Sequence, residues 1–373
     1  MRIGIVLYPT YGGSGVVATE LGKALAKKGH EIHFITYSQP FKLGTLKKNI
    51  FYHEVRVMDY PLFEYQPYEL VLSNKLVDVV KHEKLDLLHV HYAIPHATAA
   101  YMAKQILRSQ GLDVPFITTL HGTDITLVGK DSSFEPAISF AINESDEVTA
   151  VSDSLREDTF EHFDVNRDIK VIPNFVCMND YVVGDQLEIR SNYAVEDEKI
   201  ITHISNFRKV KRISDLVRVF HKVRQNMKAK LLLVGDGPER HGLEELCREL
   251  QVCDDVLFVG KLKSVREVLS ISDLFMLPSE FESFGLSALE AMASGVPVIS
   301  TKAGGIPEVV SHGECGFLSD VGDVEDMTKN TLHLLSNEEL LMTFKQNALA
   351  QAKKFDIKMV LPQYEELYKE VVS

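Results

Sequence analysis

Short apolar runs alternate with helical patterns along this chain, and after Pro173-Asn174 the alternation starts again from the beginning. The first run, Ile3-Gly4-Ile5-Val6-Leu7, reads as a strand that opens into Tyr8-Pro-Thr-Tyr-Gly-Gly-Ser-Gly15. Residues 16–28 carry apolar positions at helical spacing and Gly29 stops them; the next strand is Glu31-Ile-His-Phe-Ile-Thr36. Further strands are expected at 85–90, 115–120 and 147–151. Strands that are apolar throughout, with helices between them, predict a parallel sheet covered on both faces. In the second half, strands are expected at 199–205, 230–234, 256–259, 274–277 and 296–299. Helices are expected at 213–225, 239–250, 265–271 and 290–293, with a helical tail from about 323.

The predicted fold class is α/β, with two Rossmann-like domains facing each other across a cleft lined by the carboxyl ends of both sets of strands. A length of 373 residues suits two cores better than one. The domains are set at 1–173 and 174–354, with 174–192 as a polar linker; 355–373 is a helix expected to pack back on the first domain. With 45% hydrophobic and 25% charged residues, the chain has the apolar content a packed core needs. A net charge of −13 argues against non-specific nucleic-acid binding, which needs a basic footprint. The four cysteines, 177, 247, 253 and 315, lack metal-ligand spacing and read as ordinary thiols. No leader and no apolar run near the length of a membrane span is seen, so the cytoplasm is the expected location.

The chemistry concentrates at strand ends. Glu282-Ser-Phe-Gly-Leu-Ser-Ala-Leu-Glu290 sets two acids with seven residues between them, a glycine among the seven and small residues after. One carboxylate then falls on a loop and the other in a helix. This arrangement fits a sugar nucleotide: an acid for sugar hydroxyls, an acid for ribose, and helix-end N–H groups for phosphates. Gly12-Gly13-Ser14-Gly15 lies between strand and helix and departs from the dinucleotide signature, which leaves a tight turn or an anion or acceptor contact. Thr118-Thr119-Leu-His121-Gly122-Thr123-Asp124 ends another strand; His121 can donate to a hydroxyl or phosphate, and Asp124 can orient it or brace the loop. His89, His91, Tyr92 and His96 form a second polar cluster, in which Tyr92 is an acceptor contact and no carboxylate spacing supports a metal.

Arg208, Lys209, Lys211 and Arg212 are either a solvated charge run or the cations that neutralise a departing diphosphate. Their position between strand and helix favours the second reading, with Lys211 and Arg208 as the choices. Gly235-Asp-Gly237-Pro and Gly260 are turns that flank the base in the sugar-nucleotide reading.

On Gly12–Gly15, His121-Gly-Thr-Asp124, Val234-Gly-Asp-Gly-Pro238, the Glu282/Glu290 pair with Gly285, and Gly295-Val-Pro, the chain resembles the family-four retaining glycosyltransferases over nearly its whole length. Three phrases resemble the branch that glycosylates L-malate at the start of bacillithiol biosynthesis: Gly29-His-Glu-Ile-His-Phe-Ile-Thr36, Leu120-His-Gly-Thr-Asp-Ile-Thr126 and Ser205-Asn-Phe-Arg-Lys-Val-Lys-Arg212.

The resemblance implies a GT-B enzyme that moves N-acetylglucosamine from UDP-N-acetylglucosamine to L-malate with retention and without a metal or other cofactor. It assigns catalysis to His121, Arg208, Lys211 and Glu282. Gly13, Gly15, Gly237, Gly260, Ser283, Phe284, Gly285 and Glu290 go to the donor; Ser14, Tyr92, Thr118, Thr119 and Asn206 go to the acceptor. Ser205-Asn206 replaces a Gly-Arg pair found in many relatives, which makes Arg208 the candidate substitute cation. Same-face attack is favoured over a covalent intermediate on Glu282. A homodimer is the expected assembly, with neither nucleic acid nor stable membrane insertion. Transfer to a lipid or another sugar, sugar-nucleotide epimerisation, and binding without turnover are the rival readings.

Overall fold

Strands buried on both faces cannot alternate polar and apolar residues, and the central strands accordingly come from the unbroken apolar runs. A computed structural model describes residues 1–10, 12–44, 48–57, 65–127, 131, 133–181 and 186–373. Tyr11 of the first glycine-rich turn and 182–185 of the expected linker lie outside the described residues. The described residues form two compact units, Met1–Asn174 with Ile357–Ser373, and Phe175–Asp356.

The first unit runs β1 (Arg2–Val6), α1 (Ser14–Lys27), β2 (Glu31–Thr36), β3 (Ile50–Glu54), α2 (Tyr68–Glu83), β4 (Leu87–His91), α3 (Thr98–Ser109), β5 (Phe116–Leu120), α4 (Glu135–Glu144), β6 (Glu147–Ala150), α5 (Asp153–His162) and β7 (Lys170–Val171). Its sheet is parallel, in the order β3-β2-β1-β4-β5-β6-β7. The direction of winding reverses between β1 and β4, and loops diverge there at the carboxyl ends of the strands to leave a crevice.

The second unit runs α6 (Gln186–Ser191), β8 (Lys199–Ser205), α7 (Ile213–Arg224), β9 (Ala229–Gly235), α8 (Arg240–Glu249), β10 (Val256–Gly260), α9 (Arg266–Ser270), β11 (Leu274–Leu277), α10 (Leu286–Ala293), β12 (Val298–Thr301), α11 (Ile306–Val309), β13 (Gly316–Ser319), α12 (Val324–Leu335) and α13 (Glu338–Lys353). The sheet order β10-β9-β8-β11-β12-β13 is again parallel, with its reversal between β8 and β11. Ile213, Leu216, Val217, Phe220 and Val223 form the buried stripe of α7 and pack with Leu231, Leu233 and Met276 of the sheet. The last helix, α14 (Ile357–Val372), belongs to the first unit, where Tyr364 and Tyr368 are fully buried.

The structure adds β3, β7 and β13 to the expected strands. It starts α10 at Leu286 rather than at 290, because Gly285 already makes the turn into the helix. β12 begins at Val298 because Pro297 has no N–H for the ladder, although its carbonyl accepts from Phe275 N. The helical tail divides into three, with the Asp323 and Asn337 side chains capping α12 and α13.

Candidate active site

In the second unit, the chain leaves β11 and turns through Ser279 and Glu282 into α10. Glu282 Oε1 accepts from Lys211 Nζ at 2.5 Å and from Ser279 Oγ at 2.8 Å. Lys211 stands in the loop after β8, the other strand of the reversal, and Glu280 N donates to Val210 O at 2.8 Å to join the two loops. The Lys211 and Glu282 side chains are 20% and 13% exposed, so the pair is sheltered yet still open on one side. Arg212 is committed to Asp215 at 2.7 Å. Arg208 is exposed, and its guanidinium has no partner among the described residues. Of the four cations in the basic run, Arg212 is tied to Asp215, Lys211 is set on Glu282, and Arg208 and Lys209 are exposed. Asn206 is exposed beside them.

Glu290 lies in the second turn of α10 and accepts a hydrogen bond from Tyr181 Oη at 3.2 Å. Burial, then the Glu290 charge, pushes the Tyr181 phenol far above its usual range. The Arg266 guanidinium covers the Tyr181 ring at 5.6 Å and pairs with Asp180 at 2.6 Å.

Gly285 begins α10 with φ of 92°, and a Cβ there would come within 2.3 Å of Ile306 Cδ1. Only glycine suits both the dihedral and the packing. Phe284 is buried and meets Phe355 edge-on at 5.7 Å, so only its backbone remains for a ligand. Ser283, Phe284 and Gly285 thus present main chain at a helix start, where N–H groups and the dipole favour anions. Gly237 packs its turn closely on the Asn206 and Phe207 carbonyls, and Gly260 ends β10 in open surroundings.

The strand ends of the first unit carry neutral groups. Gly13 precedes α1 at φ 56° and ψ −126°, a conformation closed to other residues. Gly15 lies against the Tyr8 carbonyl, and Ser14 Oγ meets Tyr92 Oη at 2.5 Å. Tyr92 follows β4 at φ 86°, a strained position for a tyrosine. Its ring is 5.2 Å from His121 and 5.4 Å from Tyr8. His121 Nε2 pairs with His91 Nδ1 at 2.8 Å, and His91 stacks on His89 at 4.5 Å. His89 spans Tyr368 Oη of α14 and Thr119 Oγ1, each at 2.7 Å. Burial depresses His89 and His121 to about 3 and His96 to about 4. Asp124 accepts from Ala93 N and Gly122 N, so it braces the loop, and burial raises its pKa.

Thr118 and Thr119 require a correction. Both are fully buried in β5 with their hydroxyls engaged, Thr118 with Ser145 and Thr119 with His89 and Thr149. They support the walls and lie out of a ligand's reach as acceptor contacts. β4 runs one residue past the expected strand end at 90, so His91 as well as His89 belongs to the strand. The sequence reading missed Ser279, Tyr181 and the His91–His121 bond. His89 and His91 are two apart on a strand and so share a face, a signal available in the sequence. Nothing local points to Tyr181. Among the described residues of the first unit, His33, His53 and Glu83 bring possible metal-ligand atoms within 4.8 Å of one another. His33 Nδ1 already meets His53 Nε2 at 2.9 Å, a bond two neutral imidazoles make unaided.

Two family profiles match the chain: "Glycosyltransferase Family 4" over residues 11–179 and "Glycosyl transferases group 1" over residues 185–351. N-acetyl-alpha-D-glucosaminyl L-malate synthase of Bacillus anthracis is 49% identical over 374 residues, covering 100% of this chain and 97% of that protein. Anabaena HepE in complex with UDP-glucose superposes with a TM-score of 0.85 at 21% identity, over 99% of this chain and 100% of that one. Sucrose-phosphate synthase from Thermosynechococcus elongatus gives a TM-score of 0.81 at 21% identity, over 99% and 98%. These two likenesses are of fold: a parallel doubly wound sheet in each of two units. The two family profiles and the full-length relative establish that the chain is a glycosyltransferase and belongs to family 4.

Proposed function

We propose that this enzyme transfers N-acetylglucosamine from UDP-N-acetylglucosamine to the hydroxyl of L-malate, giving the α-linked product and UDP at the start of bacillithiol biosynthesis. The full-length relative named for that product supports the substrates. The structural observation that carries the chemistry is Glu282 held by Lys211 and Ser279 where the second sheet reverses. In this reading the first unit serves the acceptor and the second the UDP-sugar.

Glu290 takes the ribose hydroxyls. Lys211 and Arg208 face the diphosphate, whose negative charge grows as the bond from the anomeric carbon to the phosphate oxygen breaks. Glu282 and the main chain of Ser283, Phe284 and Gly285 hold the sugar, and His121 donates to one of its oxygens. Gly13 and Gly15 let backbone approach the donor, while Gly237 and Gly260 flank the base. Ser14, Tyr92 and Asn206 are the proposed neighbours of malate. The malate oxygen bonds to the anomeric carbon on the face the diphosphate leaves, and its proton passes to the departing phosphate oxygen. This order retains configuration without a covalent enzyme intermediate and uses no metal. A cytoplasmic location accords with four free thiols, and a homodimer is the commonest closed assembly.

NMR-followed turnover of UDP-N-acetylglucosamine, with and without L-malate in metal-free buffer, tests the reading. The expected result is malate-dependent UDP release with an α-linked product. Donor binding without any malate-dependent product sinks the malate assignment.

A further inference from the structure

His91 and His96 each bury an Nε2 with no hydrogen-bond partner among the described residues. For His96 the tautomer follows directly. Its Nδ1 lies 2.5 Å from the His91 carbonyl, which can only accept, so the proton is on Nδ1 and the orphan Nε2 is a bare lone pair. The His91–His121 pair admits two arrangements. If His121 Nε2 carried the proton and donated, neutral His91 would hold its own proton on the buried Nε2 as an orphan N–H. If His91 Nδ1 donates, the orphan is a lone pair. A buried N–H without an acceptor is the rarer defect in proteins, so the second arrangement wins. Full burial of His91 and partial burial of His121 lower the pKa of both rings and keep them neutral, which removes the doubly protonated alternative.

We infer that His91 is a positioning residue: its Nδ1–H donates to His121 Nε2, which places the His121 proton on Nδ1 and makes that nitrogen a hydrogen-bond donor. His121 Nδ1 has no partner among the described residues, and it stands on the loop that leaves β5. The ligand atom it addresses is therefore an acceptor, a sugar carbonyl or hydroxyl oxygen or a phosphate oxygen, rather than a hydroxyl proton. The stack continues through His89 to Tyr368, so α14 holds the far end of the same array. The assignment of a ligand to His121 rests on the function proposed above; the tautomer does not.

The test is ¹⁵N imidazole NMR of the intact enzyme, paired with kinetics. A wild-type His121 with a protonated Nδ1 and a bare Nε2 is expected. His91→Leu should scramble that signature and lower kcat by about 10- to 100-fold, as loss of a histidine's outer partner does elsewhere. His91→Asn keeps a donor near the Nδ1 position and should restore both. A wild-type His121 protonated on Nε2 overturns the inference whatever the variants do, as does a His91→Leu enzyme with unchanged spectrum and kcat. A His121→Ala enzyme with unaltered kinetics would sink the ligand role alone, since the wild-type spectrum still decides the tautomer.

Discussion

The two units repeat one winding pattern and furnish it with opposite chemistry. At the reversal of the second sheet stand Lys211 on Glu282, Arg208 with no partner among the described residues and, eight positions after Glu282, Glu290. At the reversal of the first stand Tyr8, Tyr92, Ser14 and the histidine stack, all uncharged near neutral pH. Burial drives Tyr8 and Tyr92 up to about 12, and His89 and His121 down to about 3. The buried acid there, Asp124, is spent on main-chain N–H groups. One fold therefore separates two tasks. On the proposed function, the cations assigned to the diphosphate stay near the surface, while the stacked histidines of the first unit are wholly or partly buried and held neutral.

The hardest test of this division is to remove charge from the second unit. Lys211→Ala and Glu282→Gln are each expected to lower kcat by about 100- to 1,000-fold, the range for losing one preorganised electrostatic contact. Steady-state kinetics on folded variants would show it. A Glu282→Gln enzyme within about threefold of wild type would end the claim that charge handling resides there.

Acid should separate the units next. Six histidines of the first unit, 33, 53, 89, 91, 96 and 121, are held below their usual 6.5 by burial, against His203 in the second. Below 6.5 an unfolded chain takes up protons that the folded unit refuses, so stability is full above 6.5 and falls as pH drops towards 3 or 4. Each histidine contributes a slope of about 1.4 kcal/mol per pH unit inside that window. In the second unit, partners outweigh burial to hold Asp255 and Asp273 low, so their contribution is lost only below the carboxylate value of 3.8. Hydrogen exchange from pH 7.5 to 4.5 should show the first unit opening first. Simultaneous opening, or the second unit leading, would contradict the contrast.

Both sheets were legible because buried parallel strands write themselves as unbroken apolar runs, as in Ile3–Leu7 and Leu274-Phe-Met-Leu277. β3 was not, since an edge strand with Phe51 46% exposed and histidine among its residues lacks such a run. The charged half of the candidate site could also be located. Glu282, Gly285 and Glu290 are local in sequence, and the cations follow a strand directly. The neutral half could not, because its meaning lies in contacts such as His89 to Tyr368, 279 residues apart. Thr118 illustrates the error that follows. Hydroxyls at a strand end look available in sequence, but strand register turned this one inward to Ser145 Oγ at 2.7 Å. Thr118→Val should cost about 1 kcal/mol of stability by removing one buried hydrogen bond, since Ser145 Oγ keeps its bond to the Ala141 carbonyl, with the malate KM unchanged. A several-fold rise in that KM would return Thr118 to the acceptor site.

The smallest effect concerns whether Glu290 needs help. Tyr181 Oη donates to Glu290 Oε1 over 3.2 Å, a long bond. A carboxylate has room for about four donors, so the Tyr181 bond does not by itself exclude the ribose hydroxyls proposed for Glu290. Tyr181 then acts before the donor arrives, by holding the carboxylate in one rotamer and sparing the ligand that ordering entropy. On the proposed ribose role, ground state and transition state are gripped alike, so the benefit belongs to binding rather than to the chemical step. Tyr181→Phe should accordingly raise the UDP-N-acetylglucosamine KM about two- to fivefold, the kinetic equivalent of a modest hydrogen bond, with kcat unchanged. A fall in KM would mean that the phenol occupies the ribose position and must be displaced. A fall in kcat alone would place Glu290 nearer the reacting centre than a ribose handle should be, and would blur the line between binding and catalysis in the charged unit.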